Sequence, residues 1–92
     1  MAIARIKHKG LRELFENGRS RRIGANFQGT ATRIMDFLDL IEALDECIGY
    51  RDFHPLRGNL KGRYAVTVTG NYRITFTYDD GEVTIEDFTD YH

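Results

Sequence analysis

The chain of 92 residues has one cysteine, Cys47, one proline, Pro55, and no tryptophan. A single cysteine excludes a disulfide within the chain and a zinc site built from several thiolates. The apolar runs are only a few residues long, whereas a helix that spans a bilayer needs about 20 apolar residues. No apolar segment follows the basic N-terminus, so it does not resemble a secretory signal. These absences predict a cytoplasmic protein without a membrane partner.

The sequence also lacks the short motifs of common enzyme classes. It contains no Walker A loop, no G-x-G-x-x-G, no CxxC pair and no HExxH. His8, His54 and His92 do not have the spacing of metal ligands. A two-metal nuclease needs several carboxylates at one point, whereas the acidic residues here follow one helix face and a hairpin. We therefore predict neither a metal nor a cofactor.

The composition that is present is typical of a globular protein, with 41% hydrophobic and 29% charged residues. The length suits one domain, 1–92, with one modest core. Residues 1–35 carry eight basic and two acidic side chains, and 36–50 carry five acids and no base. Residues 51–73 carry five bases and one acid, and 74–92 carry six acids and no base. Such blocks either mix in the folded chain or build a positive face that attracts phosphates.

Hydrophobic periodicity predicts two helices after a short edge strand at Ile3–Ile6. Apolar side chains on one face indicate a first helix over residues 7–15, which ends at Asn17-Gly18 because both residues tolerate positive φ. The same spacing continues almost unbroken over residues 26–48 and predicts the main helix, with Asn26 as its N-cap.

The second half of the chain changes to a period of two. Residues 54–59 contain the proline and a glycine, which predicts a structured turn or loop. Alternation then indicates three strands, over residues 64–69, 72–78 and 83–88, with a tight hairpin at residues 79–82. The predicted order is β-α-α-β-β-β. Two helices followed by an antiparallel meander belong to the α+β class, with the helices packed on a small sheet.

The C-terminal half contains the side chains that metal-free RNA cleavage requires. RNA supplies its own nucleophile, the 2′-OH, so the enzyme needs a proton acceptor, a proton donor and a cation beside the phosphate. The candidates are His54, Arg57, Lys61, Arg63, Arg73, Asp90, Tyr91 and His92. Arg73 is expected to point away from the apolar face that Ile74 shares. If the last strand pairs in the sheet, the terminus that it leads into is held and not frayed.

Three motifs in order resemble the HigB toxins of the RelE/ParE superfamily: H-P-L-R-G at 54–58, N-Y-R-I-T-F at 71–76 and D-Y-H at 90–92. I-K-H-K-G-L at 6–11 and L-F-E-N-G at 14–18 extend the resemblance over nearly the whole chain. The resemblance implies a compact RelE-like, microbial-ribonuclease-type fold. It also implies a toxin of a bacterial type II toxin–antitoxin system that cleaves mRNA in the A site of the 30S ribosomal subunit without a metal. The implied partner is a HigA-type helix-turn-helix antitoxin, which forms a hetero-oligomer with an otherwise monomeric toxin.

The resemblance also implies a role for each matched residue. His54 lies near the scissile phosphate as base or orienting group, and Arg73 binds the phosphate and stabilises the transition state. Asp90, Tyr91 and His92 form a C-terminal catalytic cluster, in which His92 is the best candidate for proton transfer. Which histidine is the acid and which the base stays open at this point.

Further basic residues are expected to bind nucleic-acid phosphates. Arg57, Lys61 and Arg63 are candidates for contacts with the mRNA. Seven basic residues of the N-terminal segment are candidates for contacts with 16S rRNA: Arg5, Lys7, Lys9, Arg12, Arg19, Arg21 and Arg22. Arg57 stands where the family commonly has lysine, and arginine is a poor proton donor near neutral pH. Thr69-Gly70 stands where the family tends to carry a basic residue.

Two other functions are open on the sequence alone. ParE proteins of the same superfamily share the fold but poison DNA gyrase, although the retained His54, Arg73 and His92 argue against that function. The other alternative is a catalytically weakened module that binds rRNA or a protein through its basic face, which Arg57 and Thr69 permit. An enzyme would lose its toxicity in a His92→Ala variant, whereas a gyrase poison would not.

Overall fold

Two helices pack on one face of a five-stranded sheet in a computed structural model that describes residues 1–90. The elements in chain order are β1 (Ile3–Ile6), α1 (Lys9–Asn17), α2 (Ala25–Leu40), β2 (His54–Pro55), β3 (Tyr64–Thr69), β4 (Tyr72–Asp79) and β5 (Glu82–Asp90). The predicted α+β class is confirmed. Within residues 1–90, no helix is both long enough and apolar enough to cross a membrane.

The sheet has the strand order β1-β5-β4-β3-β2. The pairs β2–β3, β3–β4 and β4–β5 are antiparallel, as the predicted meander requires, whereas β1 pairs with β5 in parallel. Parallel strands need a long crossover connection, and both helices lie in the chain between β1 and the meander. The first strand therefore closes one edge of the sheet beside the last strand.

The core lies between the helices and the face of the sheet that they cover. The helices contribute Leu11, Leu14, Ile34 and Leu38, all at most 1% exposed. The sheet contributes the buried side chains Val66, Val68, Ile74, Phe76, Val83 and Ile85. Because strand side chains alternate between faces, the residues between these positions project from the opposite face of the sheet, which we call the open face.

The main helix ends earlier than the sequence predicts. α2 spans Ala25–Leu40 and is followed by a 3₁₀ turn at Leu44–Cys47, so the prediction of one helix over 26–48 is wrong after residue 40. The carboxylate of Glu46 accepts hydrogen bonds from the backbone N–H groups of Glu42 (2.8 Å) and Ala43 (3.0 Å). Those N–H groups would bond to carbonyls four residues earlier if the helix continued, so this side chain stabilises its end.

Both helices also begin at positions that differ from the prediction. α1 begins at Lys9 after His8, whose ring Nδ1 accepts a hydrogen bond from the Leu11 N–H (3.1 Å). α2 begins after Gly24, and Asn26 is not its N-cap. The predicted end of α1 is confirmed, because Gly18 adopts a φ of 83° and its N–H donates to the Leu14 carbonyl (2.8 Å).

The segment that the sequence assigns to a turn contains a short strand. β2 is His54–Pro55 and pairs with β3 through His54–Ala65 and Pro55–Tyr64. Proline is tolerated there because β2 is an edge strand, where a missing N–H costs no ladder hydrogen bond. The correction matters for function, because pairing fixes His54 against the sheet.

Candidate functional site

His54 and Arg73 line one pocket on the open face of the sheet. His54 pairs with Ala65 and Arg73 pairs with Thr67, and residues 65 and 67 of β3 share a face. The pocket has a volume of about 220 Å³ and is lined by Asp52, His54, Thr67, Gly70, Asn71, Tyr72 and Arg73. Strand register therefore brings together two predicted site residues that are 19 positions apart in the sequence.

The ring of His54 is held by the backbone just before it. Its Nδ1 lies 2.7 Å from the carbonyl oxygen of Asp52. A carbonyl oxygen only accepts, so Nδ1 carries the proton and donates. In the neutral ring the lone pair is then on Nε2, the position from which a histidine accepts a proton in general base catalysis.

Arg73 is held from the other side, by β5. Its Nε donates to the hydroxyl of Thr89 across the β4–β5 pair, at 3.5 Å. A guanidinium carries five N–H donors in a planar fork that matches phosphate oxygens, and this bond uses one. Arg73 is half-buried, whereas Ile74 is fully buried. The prediction that the two side chains point to opposite faces is therefore confirmed.

The C-terminal motif begins at the border of this pocket. β5 pairs with β4 as far as Asp90, whose partner is the pocket residue Tyr72. The terminus is thus held in the sheet up to Asp90. Tyr91 and His92 lie outside the described residues.

The three predicted mRNA-binding residues occupy the connection between β2 and β3. Arg57 and Lys61 are exposed and flank the 3₁₀ turn Gly58–Leu60. Arg63 precedes β3, and its Nη2 lies 3.6 Å from an oxygen of Glu86. None of the three lines the pocket of His54 and Arg73 in the part of the chain that is described. Among the described residues, the structure therefore does not bring them together with His54 and Arg73.

A nearly buried carboxylate joins members of the two predicted sets of basic residues. The side chain of Glu86 is only 6% exposed and lies 3.2 Å from Nζ of Lys7 and 3.6 Å from Arg63. The hydroxyl of Thr77 donates to its other oxygen at 3.3 Å. From the middle of β5, Glu86 thus links β4, the residue after β1 and the residue before β3, and it neutralises part of their positive charge.

The remaining N-terminal basic residues border two open grooves. Arg19, Arg21 and Arg22 line a groove of about 1420 Å³ at the connection between the helices. Arg5, Lys7 and Arg12 line a groove of about 550 Å³ between β1 and α1, and Lys9 is exposed outside both.

An acidic residue in the first groove partly offsets its arginines. The hydroxyl of Ser20 donates to Oε1 of Glu13 at 2.7 Å, and Nε of Arg22 lies 3.5 Å from the same oxygen. The Ser20 hydrogen bond is the main cause that lowers the pKa of Glu13; burial opposes it, and the charge of Arg22 lowers the pKa further. This carboxylate therefore stays ionised, and the groove presents Arg19 and Arg21 as its more weakly compensated cations.

Sequence reasoning did not find Arg51, Asp52 or Glu86. Arg51 and Asp52 adopt positive φ values of 46° and 58° directly before the strand that carries His54. The letters R-D-F-H-P contain no Asn-Gly or Gly-based turn signal that would reveal this conformation. Among residues 1–90, no group of three or more His, Cys, Asp or Glu side chains is arranged to hold a metal ion.

Comparison with known proteins supports the resemblance in the motifs. Residues 4–92 match the family described as RelE-like toxin of type II toxin-antitoxin system HigB. The chain is 38% identical to endoribonuclease HigB of Proteus vulgaris over 95 aligned positions, which cover 98% of this chain and 99% of the relative. The fold resembles a chain of the YoeB–YefM complex from Staphylococcus aureus with a TM-score of 0.60 at 20% identity, covering 95% and 94% of the two chains. The protein belongs to the HigB-like family of RelE-like toxins of type II toxin–antitoxin systems.

Proposed function

We propose that this toxin is an endoribonuclease that cleaves mRNA in the ribosomal A site and thereby stops translation. The observation that carries the proposal is the shared pocket of His54 and Arg73, at whose border the D-Y-H terminus begins. The relative from Proteus vulgaris is named an endoribonuclease. The pocket supplies two of the three groups that 2′-OH chemistry requires, a proton acceptor and a phosphate-binding cation, within one small site.

The geometry of His54 supports its role as the general base. With Nδ1–H donating to the Asp52 carbonyl, Nε2 takes the proton of the 2′-OH while that oxygen attacks the adjacent phosphorus. Arg73 stabilises the negative charge that grows on the phosphate oxygens. His92 donates a proton to the departing 5′-oxygen. Tyr91 orients the mRNA, and Asp90 completes the C-terminal catalytic cluster. The products are a 2′,3′-cyclic phosphate and a 5′-hydroxyl.

The small size of the pocket explains why cleavage depends on the ribosome. A pocket of about 220 Å³ contacts a few atoms of a flexible RNA chain, and in-line attack needs the 2′-oxygen, phosphorus and 5′-oxygen in a row. Ribosome-bound mRNA is already ordered, which lowers the entropic cost of reaching that geometry. The two arginine- and lysine-lined grooves bind phosphates of 16S rRNA and anchor the toxin.

A toxin of a type II toxin–antitoxin system has an antitoxin as its partner. The structural neighbour YoeB forms a complex with YefM, which supports a protein complex here. We propose that the antitoxin is a HigA-type helix-turn-helix protein, that the free toxin is a cytoplasmic monomer, and that the two form a hetero-oligomer.

Primer extension on a defined mRNA tests the proposal. Purified protein is added with and without translating ribosomes, beside His92→Ala and a matched histidine variant, His8→Asn. Asparagine is a good N-cap, so His8→Asn preserves the start of α1 while it removes a histidine outside the pocket. We expect cuts within codons that require ribosomes, persist in His8→Asn and vanish in His92→Ala. Intact mRNA in every reaction would contradict the proposal and direct attention to gyrase.

A further inference from the structure

Two neighbouring residues that are not glycine adopt the left-handed conformation beside the site. Arg51 has a φ of 46° and Asp52 a φ of 58°, and Gly49, two residues before Arg51, has a φ of 84°. The conformation is unfavourable for residues that carry a Cβ, and it persists where surrounding contacts enforce it. Strain of this kind concentrates at functional sites, and here it lies two residues before His54.

Arg51 supplies the contacts that enforce the conformation. Its Nε donates to the Thr67 carbonyl at 2.7 Å and its Nη2 to the Val68 carbonyl at 2.5 Å. Its own carbonyl accepts from the Thr67 N–H at 2.8 Å. One residue thus makes three hydrogen bonds to the end of β3, just beyond the two positions that pair with β2. The segment between Arg51 and His54 is therefore tied to β3 at both ends.

The Asp52 carbonyl lies within this tied segment. It accepts from Nδ1 of His54 at 2.7 Å, and the left-handed conformation of Asp52 contributes to the orientation of this carbonyl. If the guanidinium released β3, Asp52 would relax toward negative φ and its carbonyl would turn away from the ring. The imidazole would then lose a carbonyl oxygen that accepts its Nδ1 proton.

We propose that Arg51 is a positioning residue that selects the Nδ1–H tautomer and the orientation of His54 by fixing the turn at residues 49–52. The inference rests on the proposed function of His54 as the base that deprotonates the 2′-OH. Arg51 acts through the Asp52 carbonyl and does not itself contact RNA. Its loss therefore lowers the turnover number and leaves the Michaelis constant for ribosome-bound mRNA unchanged.

The tautomer is measured directly by nitrogen NMR of the imidazole rings in the full chain. His8 is an internal reference with the opposite tautomer. Its Nδ1 accepts from the Leu11 N–H, so the proton of the neutral ring is on Nε2. In the wild type we expect His54 as the Nδ1–H form and His8 as the Nε2–H form. In Arg51→Ala we expect His54 to shift to a mixture of both forms while His8 is unchanged.

Kinetics on ribosome-bound mRNA give the second readout. We expect the turnover number to fall by about tenfold to a hundredfold in Arg51→Ala, in line with a misplaced catalytic group, and by less in Arg51→Lys, whose ammonium group can still donate. Arg33→Ala, a surface arginine of α2 whose Nη2 bonds to Thr30, controls for the lost charge and keeps the wild-type rate.

The outcomes separate this inference from the proposed function. An Arg51→Ala protein with the wild-type His54 tautomer and turnover number would overturn the inference. If Arg51→Ala does not fold, Arg51→Met, which keeps an aliphatic stem but has no N–H donor, gives the same test: an unaltered tautomer and turnover number would overturn the inference. If the wild type does not cleave mRNA, the proposed function fails, and the tautomer spectra still decide whether Arg51 positions His54.

Discussion

Glu86 provides a test of how the open face is held together. Glu86→Gln removes the charge that attracts Lys7 and Arg63 and retains an oxygen that accepts from Thr77. Exposed ion pairs contribute about 0.2–1 kcal/mol, and breaking a buried pair costs about 3–5 kcal/mol. The carboxylate is 6% exposed but its cations are 46% and 36% exposed. The free energy of unfolding should therefore fall by an intermediate amount, about 2 kcal/mol.

Thermal and urea unfolding measure this loss. For a domain of this size, about 2 kcal/mol corresponds to a decrease in Tm of about 8–16 °C. Glu82→Gln is the matched control, because Glu82 begins the same strand but is exposed, and its Tm should stay within about 2–4 °C. A Glu86→Gln protein that unfolds at the same temperature as Glu82→Gln would refute the assignment of Glu86 as the link between β1 and β3.

Three further predictions concern other parts of the molecule. In Gly10→Ala, the new Cβ would lie 2.9 Å from Cβ of Arg22 and 3.1 Å from Cδ1 of Ile23. Crowding that costs about 1–3 kcal/mol outweighs the gain of about 1 kcal/mol in helix propensity. Urea unfolding should therefore show a lower free energy of unfolding, and a more stable variant would contradict this. Burial, and less so Glu46, raises the pKa of the Cys47 thiol to about 11, so a thiol reagent at pH 8 should react only with unfolded protein. Because the unfolded thiol ionises first, the free energy of unfolding should also fall between about pH 9 and 11, and a stability that rises there would be inconsistent with the buried thiol. Arg21→Ala should weaken ribosome binding and reduce its salt slope by about one, whereas an unchanged slope would remove this groove from the proposed interface.

Four of the five strands and the class of fold were predictable because their signals are local. Alternation in β4 separates Ile74 and Phe76, which are fully buried, from Arg73, which projects from the open face. The period alone does not fix where α2 ends. Cys47 in the 3₁₀ turn is as fully buried as Leu38 in the helix, so the apolar spacing continues although the helix does not.

The site was predictable only as far as motifs and register allow. The resemblance named His54 and Arg73, but their shared pocket depends on a two-residue strand that is too short to produce a periodic signal. The bonds from Arg51 to Thr67 and Val68 span 16 and 17 positions. Local sequence patterns cover fewer residues than separate the two partners, so no pattern around Arg51 indicated its contacts with β3. Glu86 was missed for the same reason, since its cations come from distant parts of the chain.

The single-turnover rate of cleavage of ribosome-bound mRNA by Arg73→Ala tests the proposed site most directly. Arg73 lies in the pocket with His54, and its proposed role is to stabilise charge on the scissile phosphate. Removing one such donor typically costs about 10²–10³ in rate. We expect a loss of that size in Arg73→Ala, with ribosome binding retained and Arg33→Ala at the wild-type rate. A rate in Arg73→Ala equal to that of Arg33→Ala would contradict the assignment of this pocket as the catalytic site.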